Sequence, residues 1–285
     1  MNYASKILTY LGGDNRFSQV LLVAGAPPVE KKGTEFHIVI NTVLTPDDIR
    51  DTLATLASHA RRSGPTDMGK HGVFAFGMPN LGRFRVHYLT QRGSDFVAIQ
   101  RMTYDIPKLE TLLSSPEQMT LMESSLNQPD GGIVLFTGPS SDALSQLLYA
   151  SLARLNATQN KIIYILEQSL SYLLRHRNSV VIQVEVGTDI PTLSEGIQNS
   201  LCLAPDLVYI RDPKTPGEYA SLMCAAEAGA LVLISIVSFN EQHMMNDLKA
   251  RIPDDFPTLN RLIRKTIKVS TDPSGTIRLG EFSGS

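Results

Sequence analysis

The chain has no tryptophan, only two cysteines, and no apolar run near the ~20 residues that a bilayer span needs. Its longest apolar stretch, Ala228 to Val237, predicts a buried strand instead. Cys202 and Cys224 cannot build a disulfide framework. Their apolar helical settings, SLCLA and LMCAAEA, predict small core side chains in a reducing cytosol. Charge is sparse and balanced, with 26 Lys and Arg against 28 Asp and Glu, which leaves no electrostatic footprint for nucleic acid or anionic lipid. The short basic cluster Arg175-His176-Arg177 reads as solvated loop. The six histidines show no metal-ligand spacing, so no metal site is expected. The start, MNYASKILTY, lacks the pattern of a signal peptide, so a cytoplasmic protein is expected.

What is present suffices for two modest domains: 285 residues, 42% of them hydrophobic. In the first third, Ser5 to Leu11 predicts a short helix, and QVLLVAG (19–25) and GTEFHIVIN (33–41) predict strands. Thr45-Pro46-Asp47-Asp48 supplies an N-cap and a proline for a helix to about Arg62. HGVFAFG (71–77) and GRFRVHYLTQ (82–91), joined by Met78-Pro79-Asn80-Leu81, predict a hairpin, and DFVAIQRM (95–102) a third strand. The expectation is an α+β domain with a mainly antiparallel sheet.

After Asp105-Ile106-Pro107 and a helical linker, strands and helices alternate. Strands are predicted at 133–137, 162–166, 180–186, 207–210 and 231–237, and helices near 142–156, 191–203, 216–228 and 240–251. Continuous apolar strands separated by helices predict a parallel sheet covered on both faces. IKVST (267–271), Asp272-Pro273-Ser274-Gly275 and TIRLGEF (276–282) predict a closing hairpin, with SGS as a frayed tail.

A strand, a glycine and then a helix is the setting of phosphate loops. Gly138-Pro139-Ser140-Ser141-Asp142-Ala143-Leu144-Ser145 has the length of G-x-x-x-x-G-K-[ST] without its chemistry. Ala143 stands where glycine lets amides close on phosphate, and Leu144 where lysine reaches the β- and γ-phosphates. Ser145 could still meet Mg²⁺. Asp142 adds a negative charge, and two such charges ~4 Å apart repel by about 1–4 kcal/mol. The plain alternative is a strand–turn–helix connection. A second near-match, Gly64-Pro65-Thr66-Asp67-Met68-Gly69-Lys70-His71, follows a polar helix end and precedes a strand, so it offers no helix N-terminus to a phosphate.

The sequence resembles the pilus-retraction ATPases of type IV pili (PilT-type) and the wider type II–IV secretion ATPase superfamily (GspE-like). The resemblance rests on LLVAGAPPV, on GRFRVHYLTQRGSDFVAIQRM, on QVEVGTDIPTLSEGIQNSLCLAPD (183–206) and on CAAEAGALVL, in family order. It implies a PAS-like N-terminal α+β domain over 1–110, then a RecA-like, P-loop-type α/β domain over 111–285 with a mainly parallel sheet and a C-terminal β-hairpin. It also implies a helical C-terminal region that this sequence does not contain.

Against that family the reactive positions are altered. The acidic box Glu-Asp-Pro-x-Glu reads Glu167-Gln168-Ser169-Leu170-Ser171 here. The Gly-Glu after the fourth strand reads Arg211-Asp212, and Arg211 is expected to pair with Asp212. The two family histidines fall on Val237 and Ala230, which cannot move a proton. Glu167 and Asp212 are thus vestigial catalytic acids, and Gly138, Pro139, Ser140 and Ser145 a vestigial nucleotide site. Arg85 and Arg101 match first-domain arginines that in the family can reach nucleotide, here as candidates acting in trans on a neighbouring subunit; the alternative is ordinary strand arginines.

The reading these residues favour is a non-catalytic paralogue of a pilus or secretion motor, structural or regulatory, with no cofactor. Its partners would be itself, an active motor subunit, or the inner-membrane pilus platform, from a cytoplasmic or peripheral position. The alternative is a weak or atypical ATPase powering retraction, using ATP and Mg²⁺, in which Lys161 or Arg211 replaces the lost lysine. A third possibility is a ligand-binding module in the first domain, for which 1–110 shows no convergent polar residues.

Overall fold

The computed structural model describes residues 2–13, 19–32, 35–60, 69–102, 105–113, 115–272 and 276–282. The chain divides into two compact units, Met1–Asp105 and Ile106–Ser285.

The first unit opens with α1 (Ala4–Gly12) and β1 (Gln19–Leu22). β1 is shorter than expected because the chain turns over Val23–Gly25, where Gly25 takes a φ of 83°. The turn returns into β2 (Val29–Lys32), a strand that the prolines of APPVEKK hide, and then β3 (Glu35–Ile38). α2 (Pro46–His59) starts with a capping box: Thr45 Oγ accepts from Asp48 N at 3.2 Å, and the Asp48 carboxylate accepts from Thr45 N at 2.8 Å. β4 (His71–Met78), β5 (Gly82–Gln91) and β6 (Ser94–Met102) follow. The six strands form an antiparallel sheet in the order β3-β2-β1-β6-β5-β4. One face packs Val20, Leu22, Phe74, Phe84 and Val86 against Ile7 and Leu8 of α1 and Leu53 and Leu56 of α2. Residues 64–68 of the second near-match lie outside the described residues.

The second unit begins with α3 (Leu109–Leu112) and α4 (Pro116–Leu126). Then come β7 (Gly132–Gly138), α5 (Ser141–Thr158), β8 (Ile162–Glu167), β9 (Val180–Glu185), α6 (Leu193–Leu201), β10 (Leu207–Arg211), α7 (Pro216–Glu227), β11 (Leu231–Val237), α8 (Glu241–Arg251), α9 (Phe256–Leu262), β12 (Ile263–Thr271) and β13 (Ile277–Glu281). The sheet order is β13-β12-β7-β11-β10-β8-β9, parallel except for the β12–β13 pair. The closing hairpin is thus not a separate feature: β12 begins four residues earlier than expected and runs parallel to β7. α9, set between α8 and β12, also had no separate signal in the pattern. Residues 273–275 and 283–285, in the predicted turn and tail, lie outside the described residues.

The sheet separates two apolar layers. On one side α5 buries Leu144, Leu147, Leu148 and Leu152 against Val134, Phe136, Ile163 and Ile165. On the other, α6, α7, α8 and α9 bury Ile197, Leu222, Met244 and Leu259 against Ile133, Leu135, Val208 and Val232. Every β7 position is buried, as a strand covered on both faces requires. The cysteines depart from expectation. Both are exposed, Cys224 on the outer side of α7 and Cys202 at the C-cap of α6. Among the described residues, no helix is long and apolar enough to cross a membrane.

Candidate functional site

The carboxyl ends of β7, β8 and β10 converge where α5 begins. In open α/β sheets this edge is where ligands bind. Gly138 ends β7, and a Cβ there would lie 2.2 Å from the Val269 carbonyl oxygen of β12. Strand packing alone therefore demands this glycine, without any phosphate.

Only Pro139 and Ser140 separate β7 from α5. Ser140 is the N-cap: its Oγ accepts from Ala143 N at 3.1 Å, and its carbonyl accepts from Leu144 N at 3.1 Å. The amides of residues 143 and 144, which a phosphate loop would turn toward an anion, are spent inside the helix. Pro139 has no amide to give. Leu144 is 2% exposed and packs into the core, while Asp142 is exposed in the first turn.

Beneath this turn lies a polar cluster. Glu167, at the end of β8, is 1% exposed. It accepts hydrogen bonds from Tyr149 Oη at 2.6 Å, from Ser171 N at 2.8 Å and from Ser171 Oγ at 3.1 Å. Ser171 Oγ also lies 3.4 Å from Ser145 Oγ, so Ser145 faces a side chain of its own chain. Arg211, at the end of β10, closes the cluster. Its Nη1 donates to Ser171 Oγ at 2.8 Å and to Glu167 at 3.4 Å, and its Nη2 donates to Ser141 Oγ in the first turn of α5. Burial works against the guanidinium charge, but Glu167 and the phenols of Tyr209 and Tyr149 hold its pKa above the ordinary arginine value.

Three buried tyrosines line the cluster. The Tyr149 ring lies 5.1 Å from Tyr172 and 6.1 Å from Tyr209, and Tyr209 Oη lies 3.1 Å from Ser235 Oγ. Burial, with the Glu167 charge, raises the Tyr149 and Tyr209 phenols well above their usual range. Burial and Asp142 push Tyr172 up to about 12.

The expected pairing of Arg211 with Asp212 does not occur. Asp212 sits at φ 52°, its N–H bonds to the Ser235 carbonyl at 2.9 Å, and its carboxylate pairs with Lys214. Val237 reaches the edge beside Gly138, with its own backbone in register, and is 44% exposed. Ala230 precedes β11 at the opposite, amino-terminal edge, where its carbonyl accepts from Gly132 N at 3.2 Å. Lys161 precedes β8 at that same far edge.

Arg85 and Arg101 do not come together. Arg85 is in register with Gln100 and Arg101 with Phe84, so they occupy opposite faces of the first-unit sheet. Arg101 Nε donates to the Leu81 carbonyl at 3.0 Å. Sequence reasoning missed Tyr149 and Ser141. Tyr149 had a signal, since it stands four residues after Ser145 and hence on the same helix face. Ser171 was noted only as a lost acid.

This strand–turn–helix at the edge of a mostly parallel sheet, after a separate antiparallel unit, defines the architecture of the pilus and secretion motor ATPases. Residues 78–244, more than half of the chain, match the family described as Type II/IV secretion system protein, and the chain belongs to it. It is 26% identical over 84% of its length to the type IV pilus ATPase PilU of Pseudomonas aeruginosa, of which 61% is covered. It is 28% identical over 65% of its length to a twitching motility protein of Neisseria gonorrhoeae, of which 47% is covered. The chain thus spans about half to three-fifths of the length of these curated relatives. Among solved structures, the pilus retraction motor PilT with bound ADP aligns with a TM-score of 0.79 at 22% identity, over 99% of this chain and 82% of that one. The Legionella pneumophila ATPase DotB aligns at 0.76 and 18% identity, over 96% and 78%. At these identities the likeness shows the fold.

Proposed function

We propose that this chain is a non-catalytic paralogue of a type IV pilus or secretion motor ATPase, a structural or regulatory part of the machinery. The carrying observation is the Arg211 bridge. One guanidinium links Glu167 and Ser171 to Ser141 at the start of α5, where a nucleotide's phosphates would need to lie. With Leu144 buried and the amides of 143 and 144 spent in the helix, the residues present do not fit a Mg-bound triphosphate. Glu167 and Asp212 are relics in this reading, and Gly138, Pro139, Ser140 and Ser145 form a connection. Partners would be further copies, an active motor subunit, or the inner-membrane pilus platform, reached from the cytoplasmic side. Titration calorimetry with Mg-ATP, alongside a phosphate-release assay, tests this. No heat of binding at micromolar nucleotide is expected, and micromolar affinity with turnover would overturn the reading.

A second reading draws on the same bridge. If Arg211 stands in for the missing lysine of a weak ATPase, Arg211→Ala abolishes whatever turnover is measured. If Arg211 plugs the site, the substitution leaves the baseline rate unchanged or raises it.

A further inference from the structure

The outermost strands of a sheet present unpaired amides and carbonyls, and proteins blunt such edges with charge, proline, bulges, short strands or covering segments. The two sheets have four edge strands, β3 and β4 in the first unit and β9 and β13 in the second. Three of them are blunted. β3 is four residues long and carries Glu35 and His37. β13 is five residues long, carries Arg278 and Glu281, and meets Leu113 in a bridge at Ile277. On β9 the Val181 amide donates to His176 Nδ1 at 3.1 Å, and the Glu185 amide donates to Asp189 Oδ2 at 2.8 Å.

β4 has none of these protections. Its eight residues, HGVFAFGM, include no proline, lysine, arginine or carboxylate. Its register with β5 runs unbroken from His71 opposite Leu89 to Met78 opposite Gly82, so it has no bulge. Thr90 N donates to the Lys70 carbonyl at 2.7 Å, which makes Lys70 and Thr90 a hydrogen-bonded pair. Such pairs alternate along an antiparallel ladder. Gly72, Phe74 and Phe76 therefore bond to β5, while Val73, Ala75 and Gly77 turn their amides and carbonyls outward. Among the described residues, no hydrogen bond meets those outward groups. Phe74 and Phe76 pack into the core under the helices, so the side chains of Val73 and Ala75 lie on the opposite face.

We propose that β4 pairs with the β4 of a second copy, antiparallel about Ala75, so that two six-stranded sheets join into one. The strand is matched to itself. Gly72-Val73-Phe74-Ala75-Phe76-Gly77 has a phenylalanine on each side of Ala75 and small residues beyond. In this register Ala75 faces its own counterpart, and Val73 of each copy faces Gly77 of the other. All three facing pairs use the outward main-chain groups, two hydrogen bonds to a pair, about six in all. Phe74 of each copy falls opposite Phe76 of the other on the helix-covered face, and no like charges meet. An uncharged edge gives a foreign strand little to select it by, whereas a second copy brings the matching sequence. A two-fold contact also closes on itself and does not grow into a fibre. The inference gives the further copies a contact surface, and it is independent of whether α5 admits nucleotide.

Sedimentation velocity on the full chain, without nucleotide and over a range of concentrations, tests this. A monomer–dimer equilibrium is expected. Ala75→Lys and Ala75→Glu each place like charges opposite one another at the two-fold, and each alone should weaken dimerisation at least about tenfold. An equimolar mixture of the two variants should restore the dimer, which a folding defect in either would not allow. Circular dichroism checks that both fold. A monomeric parent chain overturns the proposal. Self-association that persists unchanged in both variants overturns it in favour of another surface. A mixture that stays monomeric shows that Ala75 does not face its counterpart, and overturns it as well.

Discussion

Tyr149 Oη donates to Glu167 Oε2 at 2.6 Å in a pocket that also receives the Arg211 guanidinium. A helix, a strand end and a second strand end are tied by one buried carboxylate. Removing the phenol leaves that oxygen short of a donor in a place water does not reach. Tyr149→Phe should cost about 1–3 kcal/mol in urea unfolding with an unchanged m-value. A cost below a few tenths would mean that the bond contributes nothing.

Arg211 carries the counter-charge of that carboxylate. Arg211→Met should destabilise the fold by about 3 kcal/mol, the low end for breaking a buried pair because the arginine side chain keeps a quarter of its exposure. Adding Glu167→Gln should recover part of the loss, since the uncompensated charge goes with it. Additive losses in this double-mutant cycle would contradict a direct coupling.

Restoring lysine alone should not restore nucleotide binding. Leu144→Lys places an ammonium at a position 2% exposed in an apolar layer. It should lower stability by about 2–5 kcal/mol and leave calorimetric titration with Mg-ATP flat. Micromolar binding by this single variant would show that the helix start can reopen.

Gly138→Ala separates packing from ligand chemistry. The added methyl would meet the Val269 carbonyl at 2.2 Å, so β7 and β12 must part. A loss of about 1–3 kcal/mol is expected whether or not nucleotide is present. A variant as stable as the parent would remove the strand-packing account of this residue.

The tyrosines predict alkaline sensitivity. Unfolded phenols titrate near 10, whereas burial pushes Tyr172 up to about 12 and, with the Glu167 charge, raises Tyr149 and Tyr209 well above their usual value. A raised folded pKa means that the native state holds protons which the unfolded state releases. Stability is then full below pH ~10 and falls as pH rises from there through about 12. Unfolding midpoints measured alongside phenolate absorbance should show this, and Tyr172→Phe should flatten the slope.

Much of this was legible because the physics is local. The capping residues of α2, the hairpin of β4 and β5, and the continuous apolar strands from β7 to β11 announce themselves within ten residues or so. The altered loop was legible too, since Ala143 and Leu144 need only be read in order. What escaped depends on distant partners. β2 hides behind Pro27 and Pro28 because its ladder lies with β1 and β3. The parallel pairing of β12 with β7 joins Ile263 to Ile133. Arg211 bonds to Ser141, 70 residues away, rather than to its neighbour Asp212, whose carboxylate pairs with Lys214. The cysteines were misplaced because apolar neighbours in sequence do not fix which side of a helix faces water.

The position of β7 has a consequence for how the chain comes into being. Its sheet neighbours, β11 and β12, follow about 100 and 130 residues later. As the polypeptide leaves the ribosome, α5 can cover one face of this buried strand early, but β7 has no ladder partner until β11 has emerged. During that interval it is a natural target for chaperone binding and for mispairing with another nascent chain.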